Sequence, residues 1–162
     1  TYDEITGQFF GFQPDLLMGG GLANFLPKGA PGAKRRDETD FVAKFKGEGY
    51  AFASTATELA AMPGDTRRLL GLFSAGNMDG ALDRKFLKRG GVSRAPDQPD
   101  LTQMAAAALK VLSQNPNGFF LMVESGLIDK YTHLLDMERA VYDTIMCDNV
   151  VRQVRDWAKA RT

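Results

Sequence analysis

Residues 119–123, Phe-Phe-Leu-Met-Val, form an unbroken apolar run that constrains the fold more than any other stretch. Five residues are too few for a helix that is apolar all round. The run is bounded by the turn signal Asn115-Pro116-Asn117-Gly118 and the charged Glu124. A continuous apolar strand of this kind is expected in a sheet covered on both faces, and such sheets are mostly parallel and helix-covered. An α/β layer structure is therefore predicted, as against an all-helical or all-β domain.

The rest of the chain agrees, because apolar runs and helical periods alternate along it. Pro14-Asp15-Leu16-Leu17-Met18, ending in Gly19-Gly20-Gly21, reads as a strand and its exit turn. Residues 40–46 read as a short helix stopped by Gly47 and Gly49, 50–54 as a strand, 55–61 as a helix closed by Met62-Pro63-Gly64, and 68–73 as a strand. Residues 75–99 are rich in Gly, Pro and charge and read as a long irregular excursion, which in a compact domain is usually functional or a cover. Asp100 is placed as an N-cap with Gln103 in the reciprocal position of a capping box. Leu101, Met104, Ala105, Ala108, Leu109 and Leu112 then form one apolar stripe. After the 119–123 strand, a single long helix is predicted from about Tyr131 or His133 to Lys159. Met137, Val141, Thr144, Ile145, Val151, Val154 and Ala158 are expected on its buried side.

Composition narrows the functional classes. The 162 residues fit one domain, or a segment of a larger one, and 44% hydrophobic content can build one core. Twenty basic and twenty acidic residues leave no net field, so neither nucleic acid nor an anionic membrane is an expected partner. No apolar stretch is long enough to span a bilayer, and no signal peptide is visible. The chain opens on Thr1, as expected of a piece that was processed or cut from something larger. Cys147 is the only cysteine and His133 the only histidine, which bears on any metal site.

Glu124, Asp129 and His133 lie just past the 119–123 run, at the strand edge where ligands bind in open α/β sheets. On a helix beginning by residue 129, Asp129 and His133 are at i and i+4, about 6 Å apart at Cβ. A carboxylate and an imidazole so placed can both reach a zinc at about 2 Å. Glu124 stands apart and suits a hard cation such as magnesium, and Lys130 could direct positive charge at a phosphate. Spacing alone leaves two readings open: metal ligands, or an Asp129 N-cap with a surface histidine. A zinc also takes three or four protein ligands, and Cys147 is too far along the helix axis to join His133.

The string from Asn115 to His133, N-P-N-G-F-F-L-M-V-E-S-G-L-I-D-K-Y-T-H, resembles the metal-site segment of alkaline phosphatases. There a strand F-F-L-M-V-E leads through a small-residue turn into I-D, then K, H or W, then x-x-H. Asp15-Leu16-Leu17-Met18-Gly19-Gly20-Gly21 is similar to that family's D-V-x-x-G-G-G, with Phe25-Leu26-Pro27 following. Leu69-Leu70-Gly71-Leu72-Phe73, Leu82-Asp83-Arg84 and Asp97-Gln98-Pro99-Asp100-Leu101 resemble its L-L-G-L-F, L-D-R and D-Q-P-S-L, in the same order. Phosphodiesterases and phosphoglycerate mutases of the same superfamily would not be expected to share the D-Q-P-x-L and L-L-G-L-F stretches.

The resemblance implies part of a three-layer sandwich with a mostly parallel central sheet, and phosphomonoester hydrolysis with zinc and magnesium. It implies Glu124 as a magnesium ligand, Asp129 and His133 as ligands of the zinc that activates the attacking water, and Lys130 as facing the phosphate through water. Ser125 and Leu127 depart from the common E-G-G-R-I-D, so an arginine frequent at that turn is absent and local contacts there are expected to differ. The family's nucleophilic serine, in an Asp-Ser-Ala setting, is expected upstream of this segment, and an Asp-His pair and a final zinc histidine downstream. Ser54 and Ser74 follow strands but lack that setting. No catalytic residue is therefore assigned here, and the chain by itself is expected to be inactive. A phosphate monoester as substrate, a periplasmic or extracellular location and a possible homodimer follow from the family alone. The competing expectation is a complete, non-catalytic interaction or scaffold domain on the same fold.

Overall fold

A computed structural model describes residues 1–84 and 97–161. The elements in order are α1 (Tyr2–Phe12), β1 (Leu16–Gly19), the short 3-10 turn Leu22–Asn24, α2 (Phe41–Gly47), β2 (Ala51–Ala53), α3 (Ala56–Ala60), β3 (Leu69–Leu72), α4 (Leu101–Leu112), α5 (Leu127–His133) and α6 (Met137–Lys159). The three strands make one parallel sheet in the order β1-β3-β2, with Leu16 and Ala51 both in register with Leu69.

Alternation along β3 splits its side chains between two cores. Leu70 and Leu72 pack with Phe41, Phe45 and Tyr50 under α1 and α2. Leu69 and Phe73 pack with Leu59 and Val111 under α3 and α4. Helices thus cover both faces, the predicted α/β three-layer arrangement. Gly71 has no side-chain room: a Cβ there would lie 2.5 Å from Phe73 Cζ and 2.9 Å from Met18 Cγ. No helix among the described residues is long and apolar enough to cross a membrane.

The predicted cap of α4 is in place, and the residues at the expected starts of α2 and α3 turn out to be caps as well. Asp40 Oδ1 accepts from the Ala43 N–H at 2.8 Å, Thr55 caps α3, and Asp100 and Gln103 form the capping box of α4. The sequence reading assigned nothing to residues 1–13, yet Thr1 and Glu4 form a second capping box that starts α1. Residues 85–96 of the 75–99 excursion lie outside the described residues. Its two described ends are joined: Gln98 Nε2 donates to Asp79 Oδ2 at 3.2 Å, and Asp79 N–H donates to Gln98 Oε1 at 3.1 Å.

Three expectations fail. Residues 119–123 are not in the sheet. They are extended along α4 and α6, with Phe119, Leu121 and Val123 lining a groove of about 400 Å³ against Leu109, Val150, Val154 and Trp157. Phe120 and Met122 point the other way and are 88% and 76% exposed. The apolar run reads as a buried strand because all five residues are apolar, but only alternate ones find a surface to cover.

The long helix is two helices. α5 ends in a Schellman motif: Asp136 N–H donates to Tyr131 O at 2.9 Å and Leu135 N–H to Thr132 O at 3.0 Å, with Leu135 left-handed at φ 56°. Asp136 then caps α6 through the Arg139 N–H at 3.2 Å. The buried side of α6 is also not the predicted one. Ala140, Asp143, Met146 and Val150 are buried, whereas Met137, Val141, Thr144, Ile145, Val151 and Ala158 are exposed and Val154 is half-buried. The hydrophobic stripe and the buried stripe lie on different faces, and the buried one carries Asp143, which accepts from the Ala81 N–H at 3.3 Å.

Candidate metal centre

α5 begins at Gly126, which offers no side-chain cap, and carries Asp129 in its first turn. Asp129 is therefore not the N-cap. A first-turn carboxylate is favourable there through the helix dipole. One turn on, His133 Nε2 lies 3.4 Å from Asp129 Oδ1, and both side chains are 75% exposed. Two ligands at about 2.05 Å from a tetrahedral ion stand about 3.3–3.4 Å apart. The pair thus fits half of a zinc shell without rearrangement. Among the described residues no third His, Cys, Asp or Glu joins it. Glu124 is exposed on the extended segment before α5, and Lys130 is exposed next to Asp129. Cys147 sits on α6, a separate helix.

Behind α5 lies a polar cluster to which sequence reasoning assigned no role. Asp83 is buried, and Arg139 donates to both its oxygens, Nε to Oδ2 and Nη2 to Oδ1, each at 2.8 Å. Arg139 Nη1 also donates to Asp136 Oδ2 at 2.5 Å. These hydrogen bonds, that of Asp83 foremost, hold the guanidinium charged well above its ordinary range. The Tyr131 hydroxyl lies 3.4 Å from Asp83 Oδ2. Burial pushes its phenol up to about 12, and the Asp83 and Asp143 carboxylates push the same way. Asp143 accepts from the Ala81 N–H at 3.3 Å, and burial raises its carboxyl. Arg84 donates to the carbonyls of Pro99 and Gln98 at 2.9 and 2.5 Å. So Leu82-Asp83-Arg84 and Asp97-Gln98-Pro99 meet in space. Nothing local in the sequence marks Asp83 and Arg139 as partners, since each stands beside other charged residues.

The two serines are engaged locally. Ser54 Oγ donates to Glu58 Oε2 at 2.9 Å and Ser74 Oγ to Asn77 O at 2.8 Å.

The sequence profile of the family described as alkaline phosphatase matches residues 2–162. This chain belongs to the alkaline phosphatase family. Alkaline phosphatase H of Pseudomonas aeruginosa strain UCBPP-PA14 is 32% identical over 171 residues, covering 97% of this chain and 36% of that protein. The human tissue-nonspecific alkaline phosphatase is 30% identical over 155 residues, covering 86% of this chain and 28% of its own. The crystal structure of Thermus thermophilus alkaline phosphatase superposes with a TM-score of 0.84 at 30% identity, over 98% of this chain and 30% of that one. A variant of the alkaline phosphatase of the Antarctic bacterium TAB5, solved with Mg bound, shares the fold at a TM-score of 0.73 and 22% identity. The chain spans about a third of the length of the curated alkaline phosphatases it matches.

Proposed function

We propose that this chain carries one edge of the zinc and magnesium centre of a phosphomonoesterase. The observation that carries this reading is the Asp129–His133 pair, a carboxylate oxygen and an imidazole nitrogen 3.4 Å apart on one exposed helix face. Its separation matches two adjacent vertices of a tetrahedral zinc. The occurrence of that pair in a member of the alkaline phosphatase family supports it further.

In this reading a bound zinc supplies Lewis-acid charge to a phosphate oxygen and lowers the pKa of attacking water. The chain's own residues do the placing. Asp129 would offer a carboxylate oxygen and His133 its Nε2 as ligand atoms. Lys130, on the adjacent helix position, attracts the phosphate as a point charge, through water. Glu124 offers its carboxylate to magnesium from the segment before α5. Two zinc ligands fall short of the three or four that hold the ion, and neither Ser54 nor Ser74 stands in the Asp-Ser-Ala setting of the nucleophile. We therefore assign the chain a part of the site and no turnover of its own. The substrate class is phosphate monoesters, not nucleic acid. We place the protein in the periplasm or outside the cell, with a homodimer as its assembly.

The test uses the lone histidine. Zinc added to the chain should shift the ring resonances of His133, and His133→Ala should remove the weak binding seen by calorimetry. p-Nitrophenyl phosphate should not turn over. A ring that ignores millimolar zinc overturns the metal reading. Turnover that disappears in His133→Ala overturns the assignment of a partial site. The second reading, a non-catalytic interaction domain, draws on the exposed Phe120 and Met122 and on the absence of a third ligand among the described residues. It expects the silent ring.

A further inference from the structure

α5 has seven residues and buries none of them. A helix this short is marginal in isolation, so its direction must be set by what it is tied to. Successive helical residues turn by about 100°. Asp129 and His133 therefore share one side, and Tyr131 stands about 160–200° away on the back. That back is where the structure grips the helix. The Tyr131 ring is seated on Gly80 so closely that a Cβ there would lie 2.8 and 2.9 Å from ring atoms Cε2 and Cζ, and closer still to the hydroxyl. The hydroxyl faces Asp83 at 3.4 Å. Asp83 is held by the two-pronged contact with Arg139, whose third nitrogen holds Asp136, the N-cap of α6.

We propose that Asp83 and Arg139, with Tyr131 seated over Gly80, are positioning residues that set the direction in which α5 presents Asp129, Lys130 and His133. The proposal rests on reading Asp129 and His133 as zinc ligands. None of the four touches the ligand face; they act through α5. A buried ion pair adds little net stability against an apolar replacement, and its best-attested use is to fix register. Here three separate pieces of chain meet at one carboxylate: residues 79–84, the back of α5 and the start of α6. That arrangement ties α5 to both neighbours, beside the half-buried Leu127 and Ile128.

The experiment uses the whole 162-residue chain with two readouts. One is amide hydrogen exchange in α5 of the metal-free protein, compared with α2 and α4. The other is the zinc concentration that half-shifts the His133 ring resonance. Asp83→Asn and Gly80→Ala should each speed exchange over Leu127–His133 and weaken zinc binding roughly tenfold, with α2 and α4 unchanged. Tyr131→Phe keeps the ring over Gly80 and loses only a long hydrogen bond, so roughly twofold to fivefold is expected. Arg139→Lys keeps the charge without the fork and should recover only part of what Arg139→Gln loses. Arg152→Gln, which removes the exposed pair with Asp148 further along α6, should change neither readout.

Unchanged α5 exchange and zinc response in Asp83→Asn and Gly80→Ala overturn the proposal. So does exchange that rises equally in α2 and α4, since that is general destabilisation. A wild-type His133 ring that ignores zinc sinks the metal reading alone, and the exchange readout then still decides whether the cluster directs α5.

Discussion

Between residues 16 and 73 the chain holds its sheet by burying side chains on both faces, whereas between 119 and 136 it holds its candidate site by polar contacts and one packed face. Leu69, Leu70 and Phe45 are fully enclosed in the first region. In the second, α5 buries nothing and Phe120 is open to water. The first is the rigid platform of an α/β layer structure. The second has direction only because Asp83, Tyr131 and Arg139 supply it. Residues of metal-ligand type thus sit where packing is weakest.

The widest expected gap tests this contrast directly. Leu70→Ala deletes a fully buried side chain from the core under α1 and α2 and should cost about 3–5 kcal/mol in urea unfolding. Phe120→Ser removes an exposed ring and should change stability by about 0.5 kcal/mol or less. Equal costs would mean that the 119–123 segment is buried in solution, and the two regions would no longer differ.

The regions also carry opposite acid responses. Arg35 is buried in the first, stacked on Phe41 at 4.5 Å and donating to Asp37 Oδ1 at 2.9 Å. Its hydrogen bond holds the Asp37 carboxyl down to about 2 from 3.8. A depressed folded pKa gives stability that is present above 3.8 and is lost as pH falls through about 2. Asp143, on α6 behind the second region, is shifted the other way by burial. Its favourable contribution is full below 3.8 and is lost as pH rises through the raised value. Asp37→Asn should therefore flatten the acid limb of the stability profile. Asp143→Asn should leave that limb and raise stability near neutral pH, where the buried charge is no longer formed. Chemical denaturation across pH checks both, and a common response of the two variants would remove the distinction.

What the sequence disclosed follows the same division. β1, β2 and β3 were legible because each apolar run is closed by local signals, and α2, α3 and α4 because Asp40, Thr55 and Asp100 announce their starts. The proximity of Asp129 and His133 was legible because the i, i+4 spacing is itself local. Tyr131, Arg139 and Asp83 were not. The contacts that give them meaning join residues 48 and 56 positions apart. The failure at 119–123 has another cause: five apolar residues specify extended chain, but not a neighbour to pair with. On α6, apolar residues occupy two faces, and periodicity cannot say which one a buried Asp143 will turn inward.

The smallest expected effect concerns the joint that the sequence concealed. Leu135 occupies the left-handed position of the Schellman motif at φ 56°, where glycine is the usual residue, and its side chain is exposed. A side chain with a Cβ pays about 1 kcal/mol for that conformation, and no packing offsets it. Leu135→Gly should therefore stabilise the chain, by less than that figure because glycine also gains freedom when unfolded. The gain should appear as slower exchange of the Leu134 and Asp136 amides, which donate to Tyr131 O at 3.1 and 2.9 Å. A loss of stability would mean that Leu135 packs on something in solution, and that the second region is better covered than its polar anchoring implies.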